Sequence, residues 1–239
     1  MKNNDHLILV CGKSATGKSA SLMNLKNPEG VIYLNCEAGK KLPFKSKFKE
    51  LVVTDPAMVY QAFAEAEKMS GIHTIVIDSL TYLMDMFEST RVLTSANTQK
   101  AWGDYAQYLK VLMSQIVPTS TKNVIFLAHT TDVYNEAEIA TETFVKVKGS
   151  LMNTGIESFF TNVISSKKVP ITKLTYKNDL LTITPEEEDL GFKYVFQTRL
   201  TKETVNERMR SPMGFWTKEE TYIDNNLQNV IDRLHEYYS

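Results

Sequence analysis

Short runs of uninterrupted apolar residues punctuate the chain, and stretches with apolar positions three and four apart lie between them. His6–Cys11 (HLILVC) and Val31–Cys36 (VIYLNC) read as buried strands. Leu51–Thr54, Thr74–Asp78 (TIVID) and Val124–His129 (VIFLAH) read the same way. Apolar runs that do not alternate suit a sheet covered on both faces. Pro56–Ser70 carries Val59, Phe63 and Ala66 on one helical face. Ala101–Val117 places Trp102, Tyr105, Leu109, Leu112, Met113 and Ile116 on a core-facing stripe. Strands alternating with helices predict an α/β fold with a mostly parallel sheet and right-handed crossovers.

The pattern changes after His129. Residues 130–158 are polar with scattered apolar positions, and read as loop. Residues 159–202 turn β-rich, with strand-like runs at Phe159–Ser166, Lys173–Tyr176, Leu180–Thr184 and Lys193–Leu200. The acidic stretch Pro185–Gly191 reads as a solvated turn between two of them. Leu227, Val230, Ile231, Leu234 and Tyr238 then predict a closing helix over Asn226–Tyr238. The expected organisation is one domain with a core over about 5–165. A β-rich extension and the closing helix fill about 166–239.

Composition narrows the function classes. The chain has 239 residues and a formal charge of −1, which excludes a polycation acting through bulk charge. A nucleic-acid partner would have to meet local basic residues. Two cysteines, Cys11 and Cys36, have neither CxxC spacing nor histidines at zinc-ligand spacing, so they read as reduced core thiols. No apolar run approaches the roughly 18 residues of a membrane span, and the expected location is the cytoplasm, the host's if the gene is a phage's.

One motif carries chemistry. Gly12-Lys13-Ser14-Ala15-Thr16-Gly17-Lys18-Ser19 fits G-x-x-x-x-G-K-[ST], follows a predicted strand and precedes a predicted helix beginning near Lys18. With Ala20, these residues form the candidate cradle for ATP. Glycines let successive backbone N–H groups turn toward phosphate oxygens, and Lys18 reaches the β and γ phosphates. The Ser19 hydroxyl and Asp78, which ends TIVID, are the candidate ligands of Mg2+. Glu37, after a second strand expected to lie beside the P-loop strand, is the candidate for orienting water. His129, at the end of its strand, is the candidate γ-phosphate sensor.

This order of features resembles the RecA-like ATPases, and most closely the small phage-type Sak proteins, RecA-like single-strand annealing ATPases. The likeness is carried by GKSATGKS after the first strand, Glu37 after the second, Ile77–Ser79 and His129. Trp102-Gly103, the late basic pair TRL…ERMR and the ending DNNLQNVIDRLHEYY add to it. The resemblance implies a RecA-like P-loop core and DNA-dependent ATP hydrolysis in recombination, with Glu37 activating water. It implies a homo-oligomer, ring or filament, in which Arg208 and Arg210 reach a neighbour's nucleotide, and a single-strand binding protein as a further partner. His129 stands where the family has glutamine, and Lys168–Glu188 reads as an added hairpin. No N-terminal polymerisation domain is expected.

The resemblance also directs two loops, 88–100 and 130–150, toward single-stranded DNA. The second has the better chemistry: Tyr134 and Phe144 for stacking, Lys146 and Lys148 for phosphates. Between Lys193 and Lys218 six basic residues face two acidic ones. The five lysines at 40, 41, 45, 47 and 49 read as a solvated face. Two other classes stay open: a nucleotide-gated loader or regulator with little turnover, and a small-molecule kinase. The kinase reading lacks an arginine-rich lid before residue 190.

Overall fold

The computed structural model describes residues 4–239. The first half runs β1 (Leu7–Gly12), β2 (Val31–Asn35), β3 (Lys49–Val52), α1 (Ala57–Lys68), β4 (Thr74–Asp78), α2 (Leu80–Phe87), α3 (Thr98–Val111) and β5 (Asn123–Asn135). The second half adds β6 (Ala140–Val145), α4 (Ser150–Thr154), β7 (Asn162–Pro170), α5 (Pro185–Leu190), β8 (Phe192–Gln197), β9 (Tyr222–Asp224) and α6 (Leu227–Tyr237). The sheet order is β3-β2-β4-β5-β1-β7-β8-β9, with β6 paired to the far end of β5. From β3 to β7 every pairing is parallel, and β8 and β9 complete the edge antiparallel. The expected α/β architecture, a mostly parallel sheet flanked by helices, is therefore present.

Alternate residues of the central strands bury on opposite faces, as the period of a strand dictates. Leu7, Leu9, Cys11, Ile75 and Ile77 pack with α1, α2 and α3 on one face. Ile8, Val10, Val76 and Ile125 pack with α6 on the other. The predicted closing helix is thus a structural wall of the core: Leu227, Val230 and Leu234 are wholly buried, and Asn226 caps its N-terminus. Both cysteines are buried and free. No described helix is long and apolar enough to cross a membrane.

Several expectations are corrected. β2 does not lie beside β1: β4 and β5 intervene, and β1 pairs with β5 and β7. The helix expected after the P-loop is a single 3-10 turn, Ser19–Leu22. Asn27, in the left-handed region, and Pro28 then lead directly into β2. The "loop" after His129 is a continuation of β5, paired antiparallel with β6 in a projecting hairpin. Lys173–Tyr176 and Leu180–Thr184 form no strands, so 168–188 is not a hairpin of its own: it holds the last residues of β7 and most of the connection to β8. The acidic stretch is the helix α5. The Thr184 hydroxyl accepts from the Glu187 N–H, and the Glu187 carboxylate accepts from the Thr184 N–H, a reciprocal cap.

Candidate functional site

The sheet register brings the chemistry to one edge. Asn35 pairs with Asp78, Asp78 with Leu127, and Gly12 with His129. The carboxyl ends of β2, β4 and β1 therefore line up beside His129 of β5, at the edge where ligands of parallel sheets bind. A cleft of about 860 Å³ opens there, floored by the P-loop from Ser14 to Ala20 and bordered by Tyr33, Glu37, Asp78 and His129.

The loop is braced from the second half of the chain. A side chain at Gly12 would place its first carbon 2.5 Å from the Ser166 carbonyl oxygen, so only glycine fits. Gly17 adopts a φ of +95°, and Ala15 also sits in the left-handed region. The Thr16 hydroxyl donates to the Lys13 carbonyl at 2.9 Å, the Ser166 hydroxyl to the Thr16 carbonyl at 2.7 Å, and the Asn225 amide to the Gly17 carbonyl at 2.8 Å.

Lys18 is only 6% exposed. Its ammonium donates to the Gly12 and Lys13 carbonyls at 3.0 and 2.8 Å and lies 3.5 Å from His129 Nδ1. Burial pulls its pKa down to about 8, against the pull of Asp78 and Glu37. These carbonyl contacts hold a cation that phosphate oxygens can take over. Asp78 Oδ2 accepts from the Ser19 hydroxyl at 2.7 Å and the Tyr33 hydroxyl at 2.8 Å. Burial raises its pKa, and these two hydrogen bonds oppose the rise. Ser79, not Asp78, caps α2, through its hydroxyl and the Tyr82 N–H, which leaves the aspartate for the cleft. The Asp78–Ser79 peptide is cis.

Ser19 and Asp78 suit Mg2+, a hard cation that takes one or two protein oxygens and completes its shell with phosphate and water. Among the described residues no cluster of three acidic, histidine or cysteine side chains could hold a metal by itself.

Glu37 is brought in despite its remote strand, by the turn after β2. Its N–H donates to the Asn35 side chain. Its Oε1 lies 3.3 Å from His129 Nε2, and its Oε2 accepts from Lys40 at 3.0 Å. The His129 hydrogen bond lowers the Glu37 pKa to about 2; burial opposes this and Lys40 assists it. His129 is placed by its N–H, donating to Thr81 Oγ1 at 2.9 Å, and by the edge of Tyr82. Lys18, His129, Glu37 and Lys40 thus form one chain of contacts across the floor of the cleft.

The opposite wall was not foreseen. Thr184, Glu187, Lys193, Tyr194 and Asp224–Asn226 line it. Lys193 is buried and paired to Glu187 at 2.6 Å and Asp224 at 3.1 Å. The one legible signal was the acid-rich run before it.

Other candidates fall elsewhere. Arg208 covers the Phe144 ring and pairs with Glu142 and Glu157 of its own chain. Arg210 joins a short bridge to Val163 and is exposed. Neither lines the cleft of its own chain. The four expected DNA contacts do not form one surface. Tyr134 is 59% exposed and Lys146 is exposed, but Phe144 is 8% exposed beneath Arg208, and Lys148 pairs with Glu88 and Asp85. Strand pairing of β5 with β6 turned Phe144 inward, and stacking on a base would require removing it from its packing.

Residues 5–178 match the family AAA_24, described as an AAA domain. No curated protein matches the chain. Among solved structures, the KaiC-like protein PH0186 from the hyperthermophilic archaeon Pyrococcus horikoshii OT3 is similar to it. The two share 14% identity at a TM-score of 0.47, over 86% of this chain and 83% of that one. The matched stretch holds the phosphate loop, Glu37, Asp78 and His129, while most of the opposite wall follows it; the chain belongs to the AAA domain family of P-loop ATPases.

Proposed function

We propose that the chain binds ATP with Mg2+ in the cleft, hydrolyses it, and couples that cycle to binding single-stranded DNA during annealing or recombination. The observation that carries the nucleotide reading is the convergence on one sheet edge of a braced phosphate loop, the Ser19–Asp78 pair and the Glu37–His129 pair. Phosphate oxygens replace the Gly12 and Lys13 carbonyls around the Lys18 ammonium. Ser19 and Asp78 would hold Mg2+, which when bound neutralises charge on the β and γ oxygens. Glu37, ionised, accepts a hydrogen bond from the attacking water and takes its proton as the water oxygen bonds to the γ phosphorus. The bond from that phosphorus to the bridging oxygen breaks, leaving ADP and phosphate. His129 bridges Lys18 and Glu37, so it is placed to respond to a γ phosphate. Among the described residues no arginine lines the cleft; Arg208 or Arg210 supplied by a neighbouring copy belongs to the same reading.

The DNA reading is supported by the resemblance and by the exposed Tyr134 and Lys146, not by Phe144 or Lys148. A single-strand binding protein belongs to the same reading. A second reading, a nucleotide-gated loader with little turnover, is favoured by one observation: both Glu37 oxygens are already engaged. The deciding experiment measures ATP turnover with and without a single-stranded oligonucleotide, beside a DNA titration across salt. Stimulated turnover with salt-steep affinity supports the first reading. Nucleotide binding without turnover supports the second, and no DNA affinity at low salt removes the DNA part.

A further inference from the structure

Tyr33 sits in the middle of β2, buried on the α6 face of the sheet, with its ring 6.3 Å from that of Phe48. A phenylalanine would fill the same space. Packing therefore does not require the hydroxyl, and a hydroxyl taken out of water needs a partner. Its partner is Asp78: the Tyr33 hydroxyl donates to Oδ2 at 2.8 Å. The Ser19 hydroxyl donates to the same oxygen at 2.7 Å. Among the described residues nothing donates to the other oxygen, Oδ1. Asp78 lines the cleft although it is only 2% exposed. The two donors come from opposite sides of β4 in the sheet, Tyr33 from β2 and Ser19 from the turn after β1.

A carboxylate can meet a cation with one oxygen or with both. Ca2+ accepts either mode, because its shell is large and flexible. Mg2+ demands a near-octahedral shell, and the two oxygens of one carboxylate span too narrow an angle for it. In Asp78 the choice is already made. Two hydroxyl donors use the lone pairs of Oδ2, which leaves Oδ1 as the oxygen offered to a cation or to its water. Ser19 can keep its bond while facing a metal, since its hydrogen goes to Oδ2 and its own lone pairs stay free. Tyr33 makes no contact with the phosphate loop, so its hydroxyl acts on Asp78 alone.

From these bonds we infer that Tyr33 is a positioning residue that makes Asp78 a one-oxygen ligand and so sets a preference for Mg2+ over Ca2+. The inference rests on the proposed binding of nucleotide with Mg2+ and deepens it, naming a residue outside the phosphate loop that decides which cation accompanies the nucleotide. Losing the Tyr33 hydroxyl frees Oδ2 to turn. The carboxylate then holds Mg2+ less firmly, and it gains the two-oxygen mode that suits Ca2+.

The test titrates the full chain with a fluorescent ATP analogue in chelator, in Mg2+ and in Ca2+, for wild type and Tyr33→Phe, so that each metal's contribution to affinity is read without turnover. The Mg2+ contribution should fall about tenfold in Tyr33→Phe, the low end for losing a group that orients a metal ligand. The Ca2+ contribution should change less than about twofold, because the freed Oδ2 offsets the lost orientation. Affinity in chelator should be unchanged, since the phosphate loop keeps its own bonds. An unchanged Mg2+ contribution overturns the inference. So does an equal loss with both metals, which a general disturbance of the cleft would give, or a loss in chelator. A wild type that binds no nucleotide in any of the three conditions removes the nucleotide reading and this inference with it. If Tyr33→Phe fails to fold, difference infrared spectra of the wild-type nucleotide complex on adding each metal carry the test. The carboxylate bands that Asp78→Asn abolishes should be those of one-oxygen coordination with Mg2+, and two-oxygen bands overturn the inference.

Discussion

Glu37→Gln keeps the shape of the side chain and its place beside His129, but removes the charge. Placement of a general base contributes typically about 10² to 10⁴ in rate, or about 2.7 to 5.5 kcal/mol of barrier at about 1.36 kcal/mol per decade. Turnover should fall within that range. Nucleotide affinity should change less than about threefold, because Glu37 bonds His129 and Lys40 and neither the P-loop nor Asp78. The pH dependence is set by the same contacts. The His129 hydrogen bond, against burial and with Lys40, holds Glu37 at about 2, so at pH 5 only about one carboxylate in a thousand is protonated. Wild-type single-turnover rates should therefore show no acid limb from Glu37 between pH 5 and pH 8. A folded pKa below the unfolded value also means that the Glu37 contacts stabilise the fold above the ordinary carboxylate range, and that this is lost as pH falls through about 2. Single-turnover hydrolysis across pH, paired with a fluorescent-nucleotide titration, checks all of this. Full turnover by the variant refutes the assignment. A loss of affinity equal to the loss of rate shows that Glu37 builds the binding site instead.

Lys18, held near 8 by burial, should bind phosphate as its ammonium, so nucleotide affinity should be flat below pH 8 and weaken toward about tenfold by pH 9; calorimetry in two buffers at pH 9 should record proton uptake on binding. Asn225→Ala removes the amide that holds the Gly17 carbonyl and should weaken nucleotide binding by about fivefold, in line with about 1 kcal/mol for one hydrogen bond, read as a faster off-rate in stopped flow. Phe144→Ala should lower stability by about 3 kcal/mol or more in urea melts, whereas Tyr134→Ala should leave the melt unchanged and lower any DNA affinity.

The sequence made the sheet legible where burial is two-sided. VIYLNC, TIVID and VIFLAH have no register choice that exposes them; Asp78 ends its strand as the pattern predicts, whereas His129 ends only the part of β5 that pairs with β1. The P-loop was legible because only glycine fits at Gly12 and Gly17. What failed was long-range. Nothing in the residues around Glu37 records that β4 and β5 separate its strand from β1, because strand order is decided by crossovers rather than by local pattern. The hairpin beyond His129 alternates weakly, since Val133, Tyr134 and Ile139 are exposed, so it read as loop. Phe144 looked available for stacking because its cover, Arg208, lies more than sixty residues later. Lys193 and Asn225 escaped notice for the same reason: each acts on a partner that only the folded sheet supplies.

The Asn225–Gly17 bond also has a temporal side. Its partners are 208 residues apart, and at about 5–20 residues per second the ribosome needs roughly 10 to 40 s to travel between them. Through that interval the nascent chain carries its whole phosphate-binding motif without the brace and without the Lys193–Asp224 wall. The loop therefore reaches its braced geometry only after residues 224–226 have been made, and a chain still short of them holds its phosphate-binding motif without the bond that fixes the Gly17 carbonyl.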